Sequence, residues 1–78
     1  MAGAATKLDL RGLKCPLPVL KTKKAMRQLS SGELMEIETT DPLAVIDIPA
    51  FCNENGHRLV DSGEFEWGHT FLLEKGAA

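Results

Sequence analysis

The sequence predicts an α/β fold, a two-layer sandwich of order β-α-β-α-β-β in which a mixed four-stranded sheet carries two helices on one face. Three observations lead there. Two segments with apolar residues at helical spacing are interleaved with segments in which apolar residues alternate. The alternating segments carry Glu36, Glu38, Glu64, Glu66 and Glu74 on alternate positions, so one sheet face meets water. The central strands of a three-layer doubly wound sheet are instead apolar on both faces. Strand-helix-strand connections are right-handed, which makes the first strands parallel and puts their helices on a common face.

Lys7 to Leu10 reads as the first strand, with Leu8 and Leu10 pointing one way and Arg11-Gly12 ending it. A helix is expected over 16–31. Val19, Thr22, Met26 and Leu29 recur at spacings of three and four, and Gly32 stands where a helix stops. Glu33 to Thr40 is a strand with Met35, Ile37 and Thr39 on one side. Asp41-Pro42 offers an N-cap and a proline at the first helical position of a second helical region, which runs to Asn55 and stops at Gly56. Pro49 leaves two versions of that region open: an early turn followed by a helix capped by Asp47, or a kink near Ile48. Arg58 to Val60 with Glu64 to Trp67, then Thr70 to Lys75, form a hairpin turning at Gly68. Met26, Met35 and Trp67 read as core or hairpin packing.

A length of 78 residues, 44% hydrophobic and 26% charged, fits one globular domain spanning 1–78 with an ordered core of about 7–75. No apolar run is long enough to span a membrane, and residues 1–6 lack the basic flank and apolar stretch of a secretion signal. A cytoplasmic protein with free thiols at Cys15 and Cys52 is therefore expected. A formal net charge of -2 hides a strong asymmetry. Arg11, Lys14, Lys21, Lys23, Lys24 and Arg27 lie in a stretch without one acid, which leaves three cations elsewhere against all eleven acids. Such a positive field beside a thiol favours the thiolate and attracts acidic partners.

Cys15 stands where the first loop meets the first helix, in Gly12-Leu13-Lys14-Cys15-Pro16-Leu17-Pro18. At a helix N-terminus, the macrodipole and unpaired amides lower thiol pKa values from about 8.5 to roughly 3.5–7.5. Pro16 and Pro18 fit a first turn and leave the amides of Cys15 and Leu17 as donors, the Leu17 amide being nearest the sulfur. Arg11 and Lys14 are expected to lower the pKa further. Pro18 occupies the position of a second CxxC cysteine, so dithiol redox chemistry is disfavoured. Neither His57 nor His69 lies in a recognisable nucleophile arrangement.

Cys52 lies on an apolar stripe with Val45, Ile48 and Phe51 and reads as core packing. The spacing of the two cysteines and two histidines does not make a zinc site, and no metal or redox cofactor is expected. The basic helix lacks interleaved aromatic platforms, which argues against stable nucleic-acid binding.

The run Leu8-Asp9-Leu10-Arg11-Gly12-Leu13-Lys14-Cys15-Pro16-Leu17-Pro18, with Asp41-Pro42 and Asp47-Ile48-Pro49-Ala50-Phe51-Cys52, resembles the TusA/SirA family of small sulfur carriers over about Leu8 to Lys75. The resemblance implies the same sandwich, with Cys15 carrying sulfane sulfur as a persulfide. It implies a sulfur donor, either a cysteine desulfurase or a rhodanese-like protein, and a downstream acceptor in tRNA thiolation, sulfur oxidation or cofactor biosynthesis. Arg11, Lys14 and the basic helix would stabilise the anion or dock partners, and Asp41 would be mainly structural.

Two other functions stay open at this point. One is a binding or regulatory module that docks an acidic protein or RNA through Lys21, Lys23, Lys24 and Arg27. The other is a redox sensor with a Cys15 to Cys52 disulfide, which needs a Cα separation below about 7 Å. A monomer is the expected state.

Overall fold

The computed structural model describes residues 6–76, and its strands β1 (Thr6–Leu10) and β2 (Leu34–Thr39) pair in parallel. Leu8 lies beside Ile37 and Leu10 beside Thr39, so both strands end at the same edge. Helix α1 (Leu17–Met26) connects them. After β2 comes α2 (Ala44–Asn55), then the hairpin of β3 (Arg58–Phe65) and β4 (Gly68–Glu74). The sheet order is β1-β2-β4-β3, with β4 inserted antiparallel between β2 and β3. This is the expected mixed four-stranded sheet with two helices. The expected lack of a secretion signal concerns a segment of which residues 1–5 lie outside those described. No helix among the described residues is long and apolar enough to cross a membrane.

Alternation places the core. Met35, Ile37 and Thr39 of β2 and Phe71 and Leu73 of β4 are buried, facing Met26 of α1 and Ala44, Ile48, Phe51 and Cys52 of α2. Their strand neighbours turn the other way, so Glu36 lies beside Lys7 and Leu72, and Glu38 beside Asp9 and Thr70.

Helix α1 is shorter than the expected 16–31. Beyond Met26 the amides of Gln28 and Leu29 bond three residues back, to the carbonyls of Ala25 and Met26, in turn geometry. The Lys75 ammonium donates to the Met26 carbonyl at 2.7 Å. A cation there also complements the negative end of the helix dipole. Gly32 does not stop the helix; it turns the chain into β2 and donates to the Lys75 carbonyl.

Helix α2 begins at Ala44, not at Pro42. Residues 41–43 form a turn in which the Leu43 amide donates to the Asp41 carboxylate at 3.1 Å. The helix then runs through Pro49, which removes the version in which Asp47 caps a second helix. A proline inside a helix costs about 3 kcal/mol, while burying an Ile or Phe contributes about 1.5–3 kcal/mol each. Burial of Ile48, Phe51 and Cys52 on one stripe outweighs the lost bond. The stripe is completed by Ala44 and not by Val45, which is 44% exposed. In the hairpin, Arg58 to Phe65 form one strand, with Val60 as an extra residue between Leu59 and Asp61. The two-residue turn is Glu66-Trp67, and Gly68 is the first residue of β4.

Two glycines hold the end of the sheet where β1 and β2 finish. Gly12 has φ +86°, but a Cβ there would meet nothing. Gly68 has φ +153°, and a Cβ would run into the Thr39 carbonyl of β2. Gly12→Ala is expected to lose about 1–2 kcal/mol from backbone strain alone. Gly68→Ala is expected to lose more, because β2 and β4 must also separate. Urea denaturation of both variants checks the order, and equal losses would contradict the steric argument.

Candidate functional site

Parallel pairing of β1 and β2 brings the loops that follow them side by side. The first loop runs from Arg11 to Pro16 and the second from Thr40 to Leu43. Two hydrogen bonds fasten them. The Gly12 amide donates to the Thr40 hydroxyl at 2.8 Å, and the Cys15 amide donates to Asp41 Oδ2 at 2.5 Å. Asp41 thus ties its own turn through Oδ1 and the Cys15 loop through Oδ2.

Cys15 is exposed and reduced at the start of α1, and its peptide bond to Pro16 is cis. Pro16 is the N-cap residue and Pro18 lies in the first turn, buried, with its carbonyl accepting the Thr22 hydroxyl at 2.7 Å. Two clefts flank the sulfur. One, of about 350 Å³, lies between the loops and is lined by Gly12 to Cys15 and Thr40 to Leu43. The other, of about 410 Å³, runs between the helices past Cys15, Leu20, Lys23, Asp47 and Phe51. Leu17, Leu20, Leu43 and Ile46 are large apolar side chains exposed near this end, with Ile46 at 67%.

The electrostatics of the thiol differ from the expectation of a lowered pKa. The Cys15 thiol donates to Asp47 Oδ2 at 3.2 Å. That bond, together with lost hydration and the negative charges of Asp47 and Asp41, holds the Cys15 pKa above its ordinary value. Both amides expected to serve the sulfur are committed elsewhere, Cys15 to Asp41 and Leu17 to the Lys14 carbonyl at 2.8 Å. Arg11 does not face Cys15 either. Its guanidinium grips Asp9 at 2.9 Å and reaches Glu38 at 3.9 Å, and this holds the Asp9 carboxyl down at about 2.

Of the other expected site residues, Lys14, Lys21, Lys23, Lys24 and Arg27 are exposed along the loop and α1. Lys23 borders the cleft between the helices and Lys14 lines the cleft between the loops. The residue that sequence reasoning missed is Asp47, 32 positions from Cys15. The available signal was an acid beside the buried stripe in the first turn of α2, read as a possible cap. Cys52 is buried on that stripe, and burial pushes its thiol up to about 11. Both cysteines are free. His57 lies past the far end of α2, where its Nδ1 accepts the Gly76 amide at 3.0 Å.

A family model described as Sulfurtransferase TusA matches residues 6–75. Two Neisseria meningitidis proteins, of serogroups A and B, are each 42% identical over 67 residues, covering 86% of this chain and 90% of their own, and their names propose them as sulfur carrier proteins. A protein of Allochromatium vinosum named Sulfur carrier protein TusA is 40% identical over 75 residues, covering 96% of this chain and 99% of its own.

Two predictions test the site. Alkylation of the native protein with iodoacetamide, mapped by peptide mass, is expected to modify Cys15 and to reach Cys52 only after denaturation. Asp41→Ala leaves the Cys15 and Leu43 amides without their acceptor and is expected to cost about 1–3 kcal/mol in urea denaturation.

Proposed function

The chain belongs to the TusA family of sulfur carriers, and on that premise we propose that Cys15 receives sulfane sulfur as a persulfide and passes it to an acceptor protein. The observation that carries this reading is the placement of Cys15, exposed on a fastened turn with its sulfur on the rim of two open clefts. A thiol so placed is served by the reacting groups of a docked partner.

The chemistry is thiol-persulfide exchange. The Cys15 sulfur attacks the terminal sulfur of a donor persulfide R–S–SH. A new S–S bond forms on Cys15, the donor S–S bond breaks, and the proton count is restored on the departing R–SH. Sulfur is transferred without net oxidation. The attacking species is the thiolate, so the step depends on what surrounds the proton of Cys15.

The donor class on this reading is a cysteine desulfurase or rhodanese-like protein, and the acceptor is another protein thiol. The carrier works as a cytoplasmic monomer without stable nucleic-acid binding. The exposed Leu17, Leu20, Leu43 and Ile46 give a partner apolar surface to cover, and Lys14, Lys21, Lys23, Lys24 and Arg27 steer acidic partners toward it. Arg11 contributes the turn geometry through its ion pair with Asp9 and acts on the loop, not on the sulfur.

Intact mass after incubation with a cysteine desulfurase and cysteine tests the reading. Wild type is expected to gain one sulfur atom that a thiol reductant removes, and folded Cys15→Ser to gain none. Loading of Cys15→Ser equal to wild type would place the sulfur elsewhere.

A further inference from the structure

Asp47 is the one carboxylate in hydrogen-bond contact with the Cys15 sulfur among the described residues, at 3.2 Å from Oδ2. It reaches the sulfur from the first turn of α2, a helix fixed to the core by Ala44, Ile48, Phe51 and Cys52. No lysine or arginine among the described residues pairs with it at ion-pair distance. The neighbouring carboxylates are matched differently, Asp9 to Arg11 and Asp41 to the amides of Cys15 and Leu43. Asp47 has the thiol.

We propose that Asp47 is a positioning residue: its carboxylate holds the Cys15 proton, keeps the free carrier in the S–H form and orients the sulfur on the groove between α1 and α2. This deepens the carrier reading and rests on it for its meaning, although the proton-holding itself is a property of the free protein. A carboxylate accepts an S–H donor but repels a thiolate, so the contact favours one protonation state. The other charges facing the sulfur do not reverse this. Asp41, on the loop after β2, adds a second negative charge on the amide side. Lys23 of α1 and Glu54 of α2 stand farther along the same groove with opposite signs, and Lys14 is exposed beside Cys15 in the chain. Arg11 is occupied by Asp9 and Glu38 on the other side of the loop.

The consequence is a carrier whose thiol is protected while free. Thiolate, the form that alkylating agents and oxidants attack, is held at a low fraction near neutral pH. Before the new S–S bond forms, the proton held by Asp47 must leave Cys15, and the departing donor thiolate takes up a proton in its place, so the count is unchanged. Asp47 itself is unchanged at the end of the step.

The test is the pH dependence of iodoacetamide alkylation at Cys15, read by peptide mass for wild type, Asp47→Asn, Asp47→Ala and Asp47→Glu, each checked for folding by circular dichroism. Wild type is expected to show a midpoint above the ordinary thiol value of about 8.5. Asp47→Asn and Asp47→Ala are expected to lower that midpoint by about one pH unit. Alkylation near pH 7.5 then rises several-fold. Asp47→Glu, which keeps the charge, is expected to stay nearer to wild type than Asp47→Asn. A wild-type midpoint at or below about 8.5, or folded Asp47→Asn and Asp47→Ala with the wild-type midpoint, would overturn the proposal. A purely structural Asp47 would lower thermal stability and leave the midpoint in place. Loading by a cysteine desulfurase, run in parallel on wild type, separates the two ideas. Failure to load with a shifted Asp47→Asn midpoint removes the carrier reading alone, and normal loading with an unshifted midpoint removes this inference alone.

Discussion

The site depends on one constraint, the lashing of the Cys15 loop to the loop that follows β2. Two hydrogen bonds make it, from Gly12 to the Thr40 hydroxyl and from the Cys15 amide to Asp41. Everything else about the site is downstream of that junction. Parallel pairing of β1 and β2 brings the two loops together, and the register that sets Leu10 beside Thr39 aligns their starting points. Gly68 then allows β4 to approach β2 at the same end, where any Cβ would meet the Thr39 carbonyl. The cysteine is thus held by backbone and short polar side chains anchored in the sheet, and not by the long flexible cations around it.

Two electrostatic effects of opposite sign meet at the sulfur. The N-terminus of α1 favours an anion through the helix dipole. Against it stand a direct bond to the Asp47 carboxylate and the negative charges of Asp47 and Asp41. The near contact wins. The basic side chains of α1 are exposed, and charges in water are screened over about 8–10 Å at physiological salt. Their reach is outward. A positive helix beside a protonated thiol gives the molecule a field that recruits partners without making its own sulfur reactive.

The two-layer architecture sorts charge as well as hydrophobicity. The uncovered sheet face presents Asp9, Glu36 and Glu38 in register across β1 and β2, partly offset by Lys7 at 3.7 Å from Glu36 and by Arg11. The cations of α1 lie in the other layer. A molecule of such small net charge nevertheless has distinct positive and negative sides, which orients an approaching partner before any contact forms. The far end of the helices is closed differently, by Lys75 on the Met26 carbonyl and by His57 against the Gly76 amide. That end has a structural task, and it places His57 away from the thiol.

Sequence by itself determined the element order, the burial of Met35, Ile37, Thr39, Phe71 and Leu73 by strand alternation, and the position of Cys15 between a strand and a basic helix. These are local properties, because side-chain periodicity and turn residues act over a few positions. It also pointed to Asp41-Pro42 as the start of the second helical region, whereas the helix begins at Ala44 and Asp41 divides its two oxygens between its own turn and the Cys15 amide. Tertiary structure decided the rest. The end of α1 is set by Lys75, 49 positions from the carbonyl it meets, and the run of α2 through Pro49 is set by burial of its stripe. The acceptor of the Cys15 thiol is Asp47, 32 positions away. Hydrogen bonds and charges act through space, and no spacing along the chain reveals which carboxylate a fold will deliver to a sulfur.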